Sequence, residues 1–389
     1  MAASFATLTP AEQDAMLNGP ALQPPPGVSP DFVNPPNQTT LAYGVLAVCA
    51  SLATIVVAIR VYAKAFCNRK MHIEDYLAIL ALGLYATIWG LDGITLRKVG
   101  GYVHQWNVQL KDLSILLYDL NATAILYGDI IMLLKVGILL EWMRIFVPPG
   151  VRNPFFWICC VMICAHISFY VAIMIVEIFS CKPRERNWNR YLEGTCVDEY
   201  AVYISSNALN ITSDVIILVL PHMVIWKLQI PMQRRIGISL VFAMGVVACI
   251  CASMRLYYSI RFFRSEDKTY GACNMAVWAW GEMTAGFFVL CMPSVPKAIR
   301  NTPWMLRLGI LVQRYMPGSG AAATGEKSPN SRRYHFSLRY HAKRRQNRQL
   351  ETTTSDFSES ALMRSDTSST PGSQSIMEET PHVGQTSNI

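Results

Sequence analysis

Long apolar stretches alternate with short polar ones along this chain, and seven of them reach the length that a bilayer asks of a helix. A hydrocarbon core about 30 Å thick takes roughly 20 helical residues at about 1.5 Å each. The runs are Leu41–Tyr62, Ile73–Leu96, Asn121–Phe146, Phe155–Phe179, Tyr200–Trp226, Ile236–Ile260 and Ala276–Ile299. Charge, Pro or Gly brackets each one, and none is short enough to be the core helix of a soluble domain. The third has a blurred start, because polar residues precede it. The pattern predicts an all-α fold, a seven-transmembrane-helix bundle over residues 41–300. Residues 1–40 and 301–389 stand outside it.

Composition agrees: 52% of the chain is hydrophobic and 15% charged, against about a quarter charged in an average soluble domain. Charge then orients the bundle. The first 40 residues contain no Lys or Arg. The flanks on one side carry Arg60, Lys64, Arg69, Lys70, Arg144, Arg152, Lys227, Arg234, Arg235, Lys297 and Arg300. Cytosolic loops are enriched in such residues, so the N-terminus is expected outside, although the opposite loops also hold basic residues. No apolar signal-peptide core precedes the first run, which is expected to insert as its own anchor. The leading segment is Pro-rich and is expected to be extended, with little capacity to fold. Asn37-Gln38-Thr39 fits the glycosylation pattern, weakened by lying four residues ahead of the first run.

Residues 301–389 form a separate regime, expected in the cytosol. Eight Lys/Arg fall between Lys327 and Arg348, and Ser and Thr fill 13 of the 24 positions from Thr352 to Ser375. The basic part suits anionic lipid of the inner leaflet, at about 1 kcal/mol per charge near the surface, and phosphorylation of the Ser/Thr tract would cancel that attraction. Among the cysteines, Cys49, Cys159, Cys160, Cys164, Cys249, Cys251 and Cys291 lie inside runs, as small apolar fillers. Cys181 and Cys196 bracket the charged loop after the fourth run and are expected to form a disulfide on the oxidising side, with Cys273 as the competing partner.

Ionisable groups inside a membrane are costly unless paired, and by default they mark function. Depth counting places Asp92, Asp129, Glu177, Arg255 and Glu282 in the outer part, with Arg255–Glu282 as the first expected pair. Lys135 and Asp214 both fall near the midplane, each about 14 residues into its run, and are expected to face one another; Asp129 is the rival partner for Lys135. Asn207, Asn210, Asp214 and Pro221 lie within a narrow arc of one helix, so that stripe faces the interior. These residues suggest a ligand pocket that opens outward, floored by Lys135 and Asp214. The competing reading is a set of ties between helices, at least as strong for Asn207 and Asn210. His104 and His222 read as interface hydrogen-bonders. No catalytic triad, metal-ligand set or phosphate cradle stands at usable spacing, so neither enzyme activity nor a metal is expected, nor is a nucleic-acid partner.

Several segments carry a resemblance. Arg60-Val61-Tyr62 is followed by Ile73-Glu74-Asp75-Tyr76-Leu77, and the third run ends in Lys135-Val136-Gly137-Ile138-Leu139, then Arg144-Ile145-Phe146. Next come Phe179-Ser180-Cys181-Lys182-Pro183 with Trp188 and Cys196, Asn207 to Asp214 with Pro221, Trp226-Lys227-Leu228-Gln229, Ser253-Met254-Arg255, and Trp278, Glu282 and Cys291-Met292-Pro293. As an ordered set over roughly residues 40 to 300, these resemble the fungal rhodopsin-domain integral membrane proteins. That family is related to fungal pathogenicity receptors and occurs beside mycotoxin biosynthetic genes. The chain departs from it with Glu74 where an Asp is usual and Gly137 where Ser is expected, and it lacks the cysteine-rich domain that some relatives carry outside.

The resemblance implies a receptor-like protein of the plasma membrane that senses a small ligand, with G-protein coupling by analogy. It does not imply retinal or another cofactor, since the last run has no lysine before Lys297 to form a Schiff base. The alternative is an accessory membrane protein of a secondary-metabolite cluster, for self-sensing, transport or membrane enzymology. Neither an inverted repeat nor paired broken helices favour a transporter.

Overall fold

A computed structural model describes residues 8–67, 69–148, 150, 152–225 and 232–295. The expected tail, the side chain of His222 and the run ends at Trp226 and Ile299 lie outside the described residues. The helices are α1 (Pro10–Asn18), α2 (Thr39–Tyr62, extended by a π-turn at Ala63–Cys67), α3 (Ile73–Lys98), α4 (Leu110–Phe146), α5 (Pro154–Ile178), α6 (Glu199–Ile225), α7 (Met232–Arg264) and α8 (Lys268–Cys291). Between α5 and α6, strands β1 (Cys181–Lys182) and β2 (Thr195–Cys196) pair antiparallel. Among the described residues seven helices, α2 to α8, are long and apolar enough to cross a membrane.

The sequence shows why they pack as they do. In α3 the buried positions Ala78, Ala81, Tyr85, Ile88, Asp92 and Thr95 recur at three- and four-residue intervals, one face of a helix. Leu80 and Ile94 stay exposed, where lipid would cover them. Small residues (Ala42, Ala53, Ala78, Ala81, Ala252, Ala285) are fully or almost fully buried, which lets helix backbones approach closely. Gly137, where Ser was expected, is one such place. A Cβ there would meet Leu290 of α8 at 3.2 Å. Helix α8 is the centre of the bundle: half of its most apolar window is buried, against 17% for α5.

Two boundaries depart from expectation. Helix α4 begins at Leu110, well before Asn121. Lys111, Asp112 and Asp119 depress the hydropathy of that stretch, yet Leu113, Leu116 and Leu120 pack against a small cluster with Val103, Val108 and Phe262. Helix α8 begins at Lys268 rather than Ala276, because the Asp267 side chain caps it by accepting from the Tyr270 amide. A lysine therefore does stand in the last helix before Lys297. Its Nζ donates to the carbonyls of Phe262 and Phe263, at 2.7 and 3.1 Å, at the very end of the helix.

The leading segment also differs from the expected unfolded stretch. Thr9 and Glu12 form a capping box that starts α1, and the chain then docks on the loop between α3 and α4. Ala21 N donates to Val108 O (2.9 Å), Leu110 N to Gly19 O (3.0 Å) and Gln38 N to Gly101 O (2.9 Å). Asp31 accepts from the amides of Val33 and Asn34, which hold its carboxyl below the usual carboxylate range. Asn37 is exposed and accepts from Thr39 N, at the first turn of α2.

Candidate functional site

The disulfide expected between Cys181 and Cys196 is present, at a Cα–Cα distance of 4.0 Å. It closes the β1–β2 ribbon over the end of the bundle where the N-terminal segment docks, here the N-terminal face. Gly194 is required there, since a Cβ would lie 2.2 Å from Lys182 O. His104 bonds Asp267 at 2.6 Å and stacks between Trp106 and Tyr270. Beside it Tyr102 is half-buried, and burial pushes its phenol up to about 12.

Beneath the ribbon lie two cavities. The one nearer the ribbon is lined by Asn187, Arg190, Glu199, Phe262, Glu266 and Lys268 among others. The deeper one runs between α3, α4, α5, α6, α7 and α8. They share Leu120, Glu177, Tyr203 and Met275, so the two adjoin.

The deeper cavity ends on a layer of hydrogen-bonded side chains. Arg255 of α7 places Nε 2.9 Å from Glu282 Oε2 of α8, the pair expected from sequence. Its other nitrogens donate to Asn207 Oδ1 and to Tyr127 OH, and its guanidinium lies 4.2 Å from the Tyr127 ring centroid, a cation–π arrangement. Tyr127 in turn donates to Glu282 Oε1 at 2.7 Å. Asn210 of α6 is the hub. Its Nδ2 donates to Glu282 Oε1 (2.6 Å), and its Oδ1 accepts from Tyr170 OH (2.7 Å) and Lys135 Nζ (2.6 Å). Asn207 Nδ2 donates to Ser259 Oγ. One network thus joins α4, α5, α6, α7 and α8.

Lys135 and Asp214 face each other at 2.8 Å, and Lys135 also donates to Asn210 O and Ser213 Oγ. Neither residue lines the cavity, which ends instead on Tyr127, Tyr170, Asn210 and Arg255. The expected floor is therefore one layer too deep. The depth match came from a helix start at Asn121, which the longer α4 replaces; the pairing holds because both residues sit a similar distance below the cavity. Glu282 also lies behind the lining. Asp129 is half-buried, outside the lining, with no hydrogen bond or ion pair among the described residues, and the rival pairing with Lys135 is absent.

At the other end of the cavity, Asp92 accepts from Trp280 Nε1 at 2.7 Å. Asp119, which sequence reasoning missed because it precedes Asn121, lies beside Asp92 and Thr95. All four residues, and Glu177, line the cavity. The tyrosines Tyr127 and Tyr170 were missed as well, since a tyrosine in an apolar run carries no charge signal. The residues thus brought together are Asp92, Glu177, Asn207, Asn210 and Arg255, with Glu282, Lys135 and Asp214 beneath.

A second ion cluster closes the far face. Arg60 bonds Asp75 (2.7 Å), Glu141 (2.6 Å) and Leu290 O. Lys64 lies 3.5 Å from Glu141, and Arg144 pairs with Glu74 through both nitrogens. Glutamate at 74, the departure from the family pattern, supplies the reach to Arg144. Glu141 was missed. His72, Glu74 and Asp75 stand close enough to hold a metal, but both carboxylates are engaged by cations and the Asp75 carboxylate also caps α3 at His72 N, so the donor set reads as ion pairs.

Fold and site together define a multi-pass seven-helix membrane protein with an internal cavity above a buried ion network. The fungal rhodopsin domain family matches residues 59–301, and the chain belongs to that family. Fugralins biosynthesis cluster protein 2 of Gibberella zeae is 36% identical over 292 residues, 74% of this chain and 72% of that relative. The SAT4 family membrane protein of Emericella nidulans is 32% identical over 204 residues, 52% of this chain and 51% of its own. Receptor GIN3 of Arthrobotrys oligospora is 23% identical over 315 residues, covering 79% and 72%. No solved structure matches the chain.

Proposed function

We propose that the chain is a receptor-like membrane protein that binds a small ligand in the deeper cavity, reached from the N-terminal face, without retinal and without catalysing a reaction. The observation that carries this reading is the double role of Tyr127, Asn210 and Arg255. They line the cavity, and the same side chains tie together the helices beneath it. A ligand that touches them competes for bonds that set helix positions, which is the differential contact a conformational response requires. In this reading the N-terminus is outside, the membrane is the plasma membrane, the basic tail meets anionic lipid, and the protein couples, by family analogy, to a G protein.

Relatives named for biosynthesis clusters support a second version, in which the ligand is a secondary metabolite and the protein serves its producer. Both versions use the cavity. The test is a deletion strain complemented with wild type or with Ala124→Phe, which fills the cavity and leaves the network intact. The variant is expected to reach the membrane at normal level yet fail to restore metabolite output and the response to surface cues. Full complementation by Ala124→Phe would remove the cavity from the function.

A further inference from the structure

The two ends of the cavity differ in how their charges are met. At the floor, Arg255 is matched by Glu282 and its remaining donors go to Asn207 and Tyr127. At the other end two carboxyl groups, Asp92 and Asp119, line the space, and Arg255 is the one cationic residue in the lining. Asp119 and Tyr127 are eight residues apart on α4, about 12 Å along the axis, so the floor's guanidinium does not pair with Asp119.

The acids are also short of partners. Asp119 is buried, with 6% exposure; its carboxyl group bonds Thr95 and Asp92, but its Oδ1 has no hydrogen-bond partner. Asp92 receives the Trp280 indole. The Glu177 carboxylate stands apart from this pair, its charged neighbours being Asp129 and Arg255. Uncompensated carboxylates at such depth are expensive, so this end of the cavity is electrostatically incomplete. The cavity above is no barrier to a cation, because Arg190 is turned to Glu199 and Lys268 to backbone carbonyls, leaving Glu266 and Glu177 in its walls.

We infer that Asp92 and Asp119 form the recognition site for the protonated amine of a small amphipathic ligand, whose apolar body lies along the rest of the cavity. This rests on the ligand-binding reading above and deepens it. Trp280 presents aromatic surface beside Asp92, which favours an organic cation. A bare divalent ion fits poorly: calcium takes six to eight oxygen ligands, and the surroundings are Ile88, Leu116, Ala276 and Met283.

Equilibrium dialysis against the full-length protein in nanodiscs, corrected with empty nanodiscs, tests the inference with phenylbutylamine, phenylbutanol and phenylbutyrate. The amine is expected to bind at least about tenfold more tightly than the other two, a difference of about 1.4 kcal/mol. Asp119→Asn is expected to erase that preference while leaving the alcohol's affinity unchanged. The wild-type comparison needs no variant, so a misfolded Asp119→Asn does not rescue the idea. Equal binding of amine and alcohol, both lost in Ala124→Phe, overturns the amine site and leaves the cavity reading standing. Absence of binding by all three overturns both. An Asp119→Asn protein that is more stable and still prefers the amine also overturns the assignment, since the two aspartates would then merely share a proton.

Discussion

Replacing Lys135 by Met separates the two charges beneath the cavity and leaves Asp214 alone. The structure sets the size of the effect. Asp214 Oδ1 has its partner in Lys135, and Oδ2 has no hydrogen-bond partner, so the main compensation of that carboxylate comes from one ammonium. Breaking a buried pair from one side costs about 3–5 kcal/mol, and about 3 kcal/mol is expected here because Asp214 retains partial exposure. Removing the other partner is milder. In Asp214→Asn, Lys135 keeps Asn210 O, Asn210 Oδ1 and Ser213 Oγ at 3.0, 2.6 and 2.6 Å, so the loss is about 1 kcal/mol. The double variant Lys135→Met/Asp214→Leu buries no orphaned charge. Ser213 still donates to Asn210 O and Asn210 Oδ1 still accepts from Tyr170, so the double costs about 1 kcal/mol, far less than the sum of its singles. Unfolding in mixed detergent micelles, followed by tryptophan fluorescence on wild type, singles and double, gives the cycle. A Lys135→Met protein within about 0.5 kcal/mol of wild type, or a double variant as damaged as the sum, refutes the reasoning. The swap Lys135→Asp with Asp214→Lys is expected to recover only part, because Asn210 and Ser213 share α6 with Asp214 and hold the cation from that side.

Other outcomes follow from the same bonds. Cys196→Ser opens a loop of sequence separation 15 and is expected to cost about 3 kcal/mol in the chain-entropy model, read as a lower unfolding temperature that reducing agent imposes on wild type but not on the variant. Arg60→Lys is expected to behave almost like Arg60→Met in expression and unfolding, because Nε and Nη2 meet Asp75, Nη2 also meets Glu141 and Nη1 meets Leu290 O, and an ammonium cannot span that fork; rescue by lysine would contradict it. The folded-state carboxyl of Asp31 is held below its ordinary range by the Val33 and Asn34 amides. Its contribution to docking of the N-terminal segment is therefore complete above about pH 4 and lost as pH falls through the lowered value. Hydrogen-exchange protection at those amides, corrected for intrinsic rates, checks this, and protection that rises on acidification would contradict it.

The parts of this architecture that were legible in the sequence are those that declare themselves by charge or by length. Seven apolar runs gave the bundle; the isolated charges Lys135, Asp214, Arg255 and Glu282 gave two pairs, since an ion in lipid has few places to go. Cys181 and Cys196 were legible because no other cysteines flank that loop. What stayed hidden is what hydropathy averages away. Leu110 to Leu120 is amphipathic and packs in a cluster with Phe262 and Val108, so its charges masked both the start of α4 and Asp119. Tyr127 and Tyr170 carry no signal in an apolar run, although they complete the network. Glu141 sits six residues after Lys135 and three before Arg144, and nothing local reveals that its partner is Arg60 from α2.

Both ion layers balance. The central one sets Lys135 and Arg255 against Asp214 and Glu282; the far-face one sets Arg60, Lys64 and Arg144 against Glu74, Asp75 and Glu141. Helix α4 belongs to both, through Lys135 and then Glu141 and Arg144, with about 9 Å between Lys135 and Glu141 along its axis. Helix α8 also belongs to both, through the Glu282 side chain and the Leu290 carbonyl that Arg60 binds. A shift of α4 against α8 at the cavity floor therefore cannot leave the far-face layer untouched. Arg60 holds Glu141 of one helix and Leu290 O of the other with different nitrogens of a rigid plane. In the receptor reading this fixes where a response is to be sought: the Arg60–Glu141 contact moves when the cavity is filled, whereas in a passive bundle of interhelical ties the two layers stay independent.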